Sequence, residues 1–295
     1  MLTGAAGLLG RHIGPILSHH AEVVRVGFRR DTEALEFALD LSNREAAWHL
    51  LDAVKPDIVV HTVALTDVDR CQSEASLAYL TNVETTRHIA DWIAQHSPAT
   101  RYVYLSTDQV YCGTGGHTED RVAPLNVYGL TKLWGEDVAR RTADVLVLRT
   151  NFFALGAGAR RGLAGWLIDS LERGEDITVF EDIYFNPLYA ADLGDLLVEL
   201  LQAGLSGTYN LAARGGSVSK ADFAEMLADE LSLNFSTARR GRSPATERAA
   251  PRPRDMTMSV ARIEERLGRP MPTVRHGIQR LGRDRLHAAP SLERS

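Results

Sequence analysis

Four short runs of almost unbroken apolar residues, separated by longer amphipathic stretches, decide most of what this chain can fold into. They are Val23–Phe28, Ile58–Val63, Arg101–Ser106 and Val145–Arg149. A strand that is apolar on both sides has to be covered on both faces, which is the situation of a parallel sheet sandwiched by helices. The intervening segments read as those helices. One follows a glycine-rich turn (Thr3–Gly10) and runs through His19, and another runs to Val54, where Lys55-Pro56-Asp57 stops it. A third occupies about Ser76 to Gln95, and a fourth follows Tyr128. The fold class expected is α/β, a doubly wound parallel sheet. After about residue 150 the alternation loosens, which predicts a smaller C-terminal lobe. Ser236–Asp255, rich in Arg, Pro and Ser, reads as an irregular loop, and the polar residues from about Arg285 read as a frayed end.

Bulk properties then exclude several function classes. With 295 residues, 44% apolar and 24% charged, the chain can bury a sizeable core. A net charge of -5 argues against nucleic acid as a partner. Cys71 and Cys112 form no CxxC pair, so neither a disulfide framework nor a structural zinc site is expected, and a reducing compartment suits the chain. Ten scattered histidines without HExxH predict no metal. No run approaches a membrane span and no signal peptide is legible, so the expected setting is cytoplasmic, without a membrane partner. Almost the whole strand that should precede the glycine turn is missing before Met1-Leu2-Thr3-Gly4, so a native start several residues upstream, or a truncated sequence, is expected.

The glycine turn is the first chemical feature. Gly4, Gly7 and Gly10 make GxxGxxG, a variant of the dinucleotide fingerprint, in which glycines let backbone N–H groups at a helix N-terminus approach a pyrophosphate. Taken alone the motif could be only a flexible turn; its place at the start of a strand–helix alternation favours the cofactor. About 20 residues on, where an acidic residue would bind a ribose 2′-hydroxyl, the chain reads Gly27-Phe28-Arg29-Arg30-Asp31. Arg29 and Arg30 suit a 2′-phosphate, so NADP(H) is favoured over NAD(H); a solvated charge cluster is the alternative, and Asp31 could serve a ribose hydroxyl. Asp40 and Leu41, in a turn before the next helix, are candidate neighbours of the adenine.

The second feature is Tyr128-Gly-Leu-Thr-Lys132. Residues at i and i+4 share a helix face, so the ammonium can stabilise the phenolate and make the tyrosine a general acid or base. Upstream, Ser106-Thr107-Asp108 follows the third strand at its C-terminal end, where ligands bind in open α/β sheets. A hydroxyl there could polarise a substrate carbonyl, or it could simply cap a turn.

These segments resemble the extended short-chain dehydrogenase/reductases, and within them the dTDP-4-dehydrorhamnose reductase group. The resemblance is carried by Thr3–Gly10, Leu105–Thr114, Thr118–Lys132, Leu148–Gly156, Asn186–Leu197, Gly207–Ala212 and Arg252–Gly268, so it covers essentially the whole chain. It implies a Rossmann domain over 1–150 that binds NADP, its first strand truncated. Residues 151–295 then mainly build a substrate-binding lobe, with about 186–212 returning to the first domain. It implies that Thr107 orients the carbonyl, that Tyr128 donates the proton and that Lys132 holds the nicotinamide ribose. Cofactor contacts are expected from Gly4, Gly7, Leu8, Leu9, Ala64 and Asn82. Substrate contacts are expected from Thr66, Asp108, Val110, Asn151, Phe152, Phe153, the Asn186-Pro187 segment, and Arg252 with Arg254. Those two arginines could clamp a diphosphate or only solvate a loop.

The implied function is NADPH-dependent reduction of a nucleotide-linked keto sugar of the 4-keto-6-deoxyhexose type. Related 4,6-dehydratases follow the threonine with Asp-Glu; here Asp108-Gln109 stands, and an amide cannot abstract a proton, so dehydration is disfavoured. Epimerisation stays open, since the same apparatus can oxidise and re-reduce a sugar. The GFRR and RPRD segments also resemble the regulatory subunit of methionine adenosyltransferase, which leaves a non-catalytic NADP-binding role as the alternative from another class. Members of the reductase group are commonly dimers, so a homodimer is one expected assembly.

Overall fold

The computed structural model describes residues 1–28, 35–156, 162–244 and 250–288. The chain opens with β1 (Leu2–Thr3), a glycine turn and α1 (Leu8–Ser18), followed by β2 (Arg25–Gly27), β3 (Phe37–Ala38), α2 (Arg44–Val54) and β4 (Ile58–His61). Asn43 caps α2 by accepting from the Ala46 N–H at 3.1 Å, and Lys55 ends it in the left-handed conformation at φ 46°. The long helix read from the sequence after Ser76 is interrupted. It divides into α4 (Ala75–Tyr79), a π-helical turn (Leu80–Glu84) and α5 (Thr85–His96), preceded by the short α3 (Val68–Ser73). Then come β5 (Arg101–Thr107), a 3-10 turn (Asp108–Val110), α6 (Val127–Ala139), β6 (Val145–Thr150) and β7 (Phe152–Phe153).

Seven strands form one fully parallel sheet. Its last member comes from late in the chain: after α7 (Gly162–Glu172), β8 (Ile177–Phe180), β9 (Tyr184–Phe185), β10 (Leu188–Tyr189) and α8 (Ala190–Gln202), β11 (Gly207–Leu211) pairs with β6. The order across the sheet is β11-β6-β5-β4-β1-β2-β3, so the winding reverses between β1 and β4. The two-residue β1 holds the central place, its Leu2 N–H bonded to Val24 O at 2.8 Å and its Met1 O accepting from Val60 N–H at 2.9 Å. Alternate residues of the strands feed two cores. Val103, Leu105, Leu146 and Leu148 pack with α1 and α8, while Tyr102, Tyr104 and Val147 pack with Ile89, Trp92 and Ile93 of α5. The absence of a side chain at Gly194 lets α8 approach α1, since a Cβ there would lie 2.7 Å from Ile16 Cδ1.

The remaining chain adds β12 (Val218–Ser219), α9 (Lys220–Leu231), β13 (Ala238–Gly241), α10 (Ala261–Leu267) and α11 (Val274–Ala288), and shares its core with the sheet. The stretch read as irregular, Ser236–Asp255, contains β13, which pairs in parallel with β8. The arginines that argue against a strand in the sequence are tolerable because β13 lies at an edge, where Arg239 and Arg240 point to solvent. Among the described residues no helix is long and apolar enough to cross a membrane.

Candidate active site

The cleft of interest lies where the winding reverses, at the C-terminal ends of β1, β4, β5 and β6, which is where open α/β sheets bind ligands. Its volume is about 600 Å3. One wall is the start of α1, with Gly7, Leu8, Leu9 and Gly10 facing the cleft. Gly4 sits at φ +71°, and a Cβ there would lie 2.5 Å from Thr62 Oγ1. A Cβ on Gly10 would lie 2.4 Å from Gly4 O. Both glycines are therefore required for the turn to fold back onto the helix. The N-terminus of α1 has neither a side-chain cap nor an acidic residue in its first turn. Free N–H groups and the positive end of the helix dipole are left for an anion, which suits the pyrophosphate of a dinucleotide.

The opposite wall carries Thr107, Tyr128 and Lys132. Thr107 ends β5 and is 5% exposed; its Oγ1 donates to Asp108 Oδ1 at 3.2 Å and accepts from the Gln109 N–H at 3.2 Å. Asn126 caps α6 by accepting from the Gly129 N–H at 2.8 Å, which starts the helix just before Tyr128. Two glycines set α6 onto the sheet: a Cβ on Gly129 would lie 2.2 Å from Gln109 O, and one on Gly135 would lie 2.1 Å from Tyr104 Oη. Burial raises the Tyr128 phenol above its ordinary value, with a hydrogen bond to Thr107 opposing the shift. Lys132 is held against β5. Its Nζ donates to Leu105 O at 2.7 Å and lies 4.1 Å from the Tyr104 ring centroid. Burial lowers its pKa to about 7, opposed by the charge of Glu136. Asp108, fully enclosed, is pushed up to about 6 by burial, although Asn151 Nδ2 hydrogen-bonds to Oδ2.

The other residues singled out from the sequence fall into separate groups. Ala64, Thr66, Asp108, Asn151 and Phe152 line the cleft. Asn82 stands behind the wall, where the π-helical turn brings its amide against the loop after β4. Its Oδ1 accepts from the Leu65 N–H at 2.7 Å, and its Nδ2 donates to Leu65 O and to Thr131 Oγ1. Asn186 is likewise saturated, donating to Ala213 O and Met258 O and accepting from the Met258 N–H. Val110 is fully buried in the larger core, beside which Phe153 packs against Phe223 and Tyr189. Asp40 bonds the Ser42 N–H in the turn before α2, and Leu41 is core, its carbonyl accepting from His88; neither lines the cleft. Arg252 pairs with Asp69 at 2.8 Å and Arg254 with Asp182 at 2.6 Å. Arg29, Arg30 and Asp31 lie outside the described residues.

A buried network under the site escaped the sequence reading. Glu136 accepts from Ser106 Oγ at 2.5 Å and from Arg149 at 2.9 and 2.7 Å; Arg149 also donates to Tyr111 Oη, which donates to Asn210 Oδ1 at 2.7 Å. Burial alone would raise the Glu136 carboxyl, but Arg149 outweighs it and holds the group below its usual range. The signal was available: Glu136 is the next i+4 position after Tyr128 and Lys132, hence on the same helix face. Among the described residues no group of three or more potential ligands could hold a metal ion.

Residues 1–285 match the family described as the RmlD substrate binding domain. A dTDP-4-dehydrorhamnose reductase of Streptomyces griseus is 34% identical over 74% of this chain and 71% of its own length. A probable low-salt glycan biosynthesis reductase of Haloferax volcanii is 29% identical over 95% and 96%. Among solved structures, the dTDP-4-dehydrorhamnose reductase of Bacillus anthracis in complex with NADP superposes with a TM-score of 0.82 at 25% identity, covering 96% of this chain and 98% of that one.

Proposed function

We propose, from the premise that this chain belongs to the RmlD substrate binding domain family, that it is an NADPH-dependent reductase of a nucleotide-linked keto sugar of the 4-keto-6-deoxyhexose type. The observation that carries the reading is the convergence, on one cleft, of Thr107, Tyr128 and Lys132 with the uncapped start of α1. The relatives named as dTDP-4-dehydrorhamnose reductases, one of them solved with NADP, support the same reading.

The bound nicotinamide supplies a hydride to the sugar carbonyl; the rest of the chemistry falls to the chain. The amide groups of Leu8, Leu9 and Gly10 hold the pyrophosphate, and Arg29 with Arg30 select the 2′-phosphate. Thr107 redirects its hydroxyl proton from Asp108 to the carbonyl oxygen, where negative charge develops. Burial keeps the Tyr128 phenol protonated at neutral pH, so it is loaded as a general acid and gives up its proton only as the alkoxide forms. Lys132, one turn along α6, is the cation nearest in sequence to the phenolate left behind. Asp108, Asn151 and Phe152 orient the sugar.

The test is NADPH oxidation with a dTDP-4-keto-6-deoxyhexose, preceded by fluorescence titration with NADPH and NADH. Wild type is expected to prefer NADPH and turn the sugar over. Tyr128→Phe should bind NADPH normally and lose roughly 10²–10⁴-fold in kcat. Net NADPH consumption absent, with cofactor retained through turnover, would move the reading to epimerisation. Binding without any turnover would move it to a regulatory role.

A further inference from the structure

The chain contains three lysines against thirty arginines. Lys55 ends α2 in an exposed left-handed position, and Lys132 is in the cleft already described. The third, Lys220, is the first residue of α9 and faces Asp108, which lines that cleft. Lys55 apart, the side-chain cations outside that cleft are arginines, so a lysine at this place requires its own explanation.

The position is held firmly. Ser219 and Asp222 form a capping box at the start of α9, and the Lys220 backbone N–H donates to Ile183 O at 2.9 Å. The side chain is partly buried and lies over the Phe185 ring, Nζ 4.2 Å from its centroid. It faces Asp108, the neighbour of Thr107, closely enough that each group's charge acts on the other, and Arg252 is near enough to be felt as well. The arginines around it are all in ion pairs: Arg240 with Asp222 and Glu225, Arg252 with Asp69, Arg254 with Asp182. Among the described residues Lys220 has no carboxylate within ion-pair distance. A partly buried ammonium costs free energy unless an anion compensates it, and its pKa is accordingly lowered to about 8 by burial.

We propose that Lys220 is the anion-holding residue of the substrate cleft, donating to the diphosphate that links nucleoside and sugar. The inference rests on reading the cleft as a nucleotide-sugar site. It adds which residue takes the charged arm. With the diphosphate held by Lys220, the sugar is left to reach inward past Asp108 to Thr107. A compact ammonium suits this place better than a guanidinium, because it can stay on the Phe185 ring and rotate its three donors among phosphate oxygens.

The experiment is calorimetric titration of dTDP into the wild-type protein and into Lys220→Met, Lys220→Arg and Lys55→Met, with NADPH titrated in parallel. Lys220→Met should weaken dTDP roughly tenfold to hundredfold, the loss of one charge-assisted hydrogen bond. Its NADPH affinity should stay within about twofold. Lys220→Arg should recover part of the loss, and Lys55→Met should match wild type. Unchanged dTDP affinity in Lys220→Met overturns the proposal, as does an equal loss of NADPH affinity, which would mean a disturbed fold. Wild type that binds no dTDP also overturns it. Lys220-dependent dTDP binding in a protein that never oxidises NADPH would leave this site standing and remove the reductase reading.

Discussion

At the end of β4, His61 is sealed from solvent, 0% exposed, with Nδ1 2.7 Å from Thr3 Oγ1 and Nε2 3.3 Å from Thr85 Oγ1. Burial first, and the charge of Lys132 second, lower its pKa from 6.5 to about 3. The unfolded chain therefore takes up a proton near pH 6.5 that the folded one refuses. The stability held by neutral His61 is complete above about 6.5 and is lost as the pH falls toward 3. The slope in that window approaches about 1.4 kcal/mol per pH unit. Urea unfolding at pH 7.5 and pH 5 should show it, and His61→Asn should flatten the difference by about 2 kcal/mol. An equal pH dependence in both proteins would assign the acid sensitivity to other groups. The same residue shows what a sequence hides: His61 ends an apolar run and looks like any core position, and only the fold brings Thr3 and Thr85 to its two nitrogens.

At the scale of elements, α6 governs the site. It carries Tyr128 and Lys132, and Gly129 and Gly135 let it lie directly on β5 and the turn after it. Gly135→Ala would press its Cβ against Tyr104 Oη, a side chain with little room to move because it is itself fully buried. The expected cost is about 1–3 kcal/mol of stability, together with a fall in kcat greater than that in NADPH affinity, since helix displacement moves Tyr128 and leaves α1 in place. Calorimetric melting and steady-state kinetics on the variant check both; wild-type kcat would show that the helix position is not critical. Much of this element level was legible. The apolar runs at Ile58, Arg101 and Val145 lie within a residue or two of β4, β5 and β6, because a strand buried on both faces leaves an unmistakable pattern. The π-helical turn was not, since Leu80–Glu84 has ordinary helical residues and is set by Asn82 reaching the Leu65 loop. Nor was β13, whose arginines read as loop until β8 supplies its hydrogen-bond partner. In the site, the Thr107, Tyr128 and Lys132 pattern showed in local spacing, whereas Lys220 is almost 90 residues away in the chain and only the lobe's return brings it there.

At the scale of the whole molecule, a buried polar chain runs from the sheet to the outer loops. Ser106, Glu136, Arg149, Tyr111 and Asn210 link β5, α6, β6 and β11 in one hydrogen-bonded chain, and Asn210 continues to His117 O and Ser259 O in the outer loops. Removing one partner strands the other. Arg149→Met should cost about 3 kcal/mol, because the buried Glu136 would keep only the half-exposed Arg140 as a cation partner. The double variant Glu136→Leu, Arg149→Met should recover most of that loss, and denaturant unfolding of the three proteins measures it. Failure of the double variant to recover would mean that the network, beyond its charge balance, specifies the packing between sheet and lobe. A second junction ties α3 to the segment before α10, where Asp69 accepts from the Ala250 N–H at 2.9 Å as well as pairing with Arg252.

The scarcity of lysine makes the molecule chemically addressable. Two of its three side-chain amines, Lys132 in the cleft and Lys220 facing Asp108 beside it, are lowered by burial, to about 7 and about 8. An appreciable share of each is unprotonated and nucleophilic near neutrality, when most protein amines are not. A small acylating reagent used at pH 7 would thus report on Lys220, the less enclosed of the two, read by mass spectrometry at its peptide. Bound nucleotide would be seen as protection at a residue that in a lysine-rich protein would be lost among dozens of surface signals.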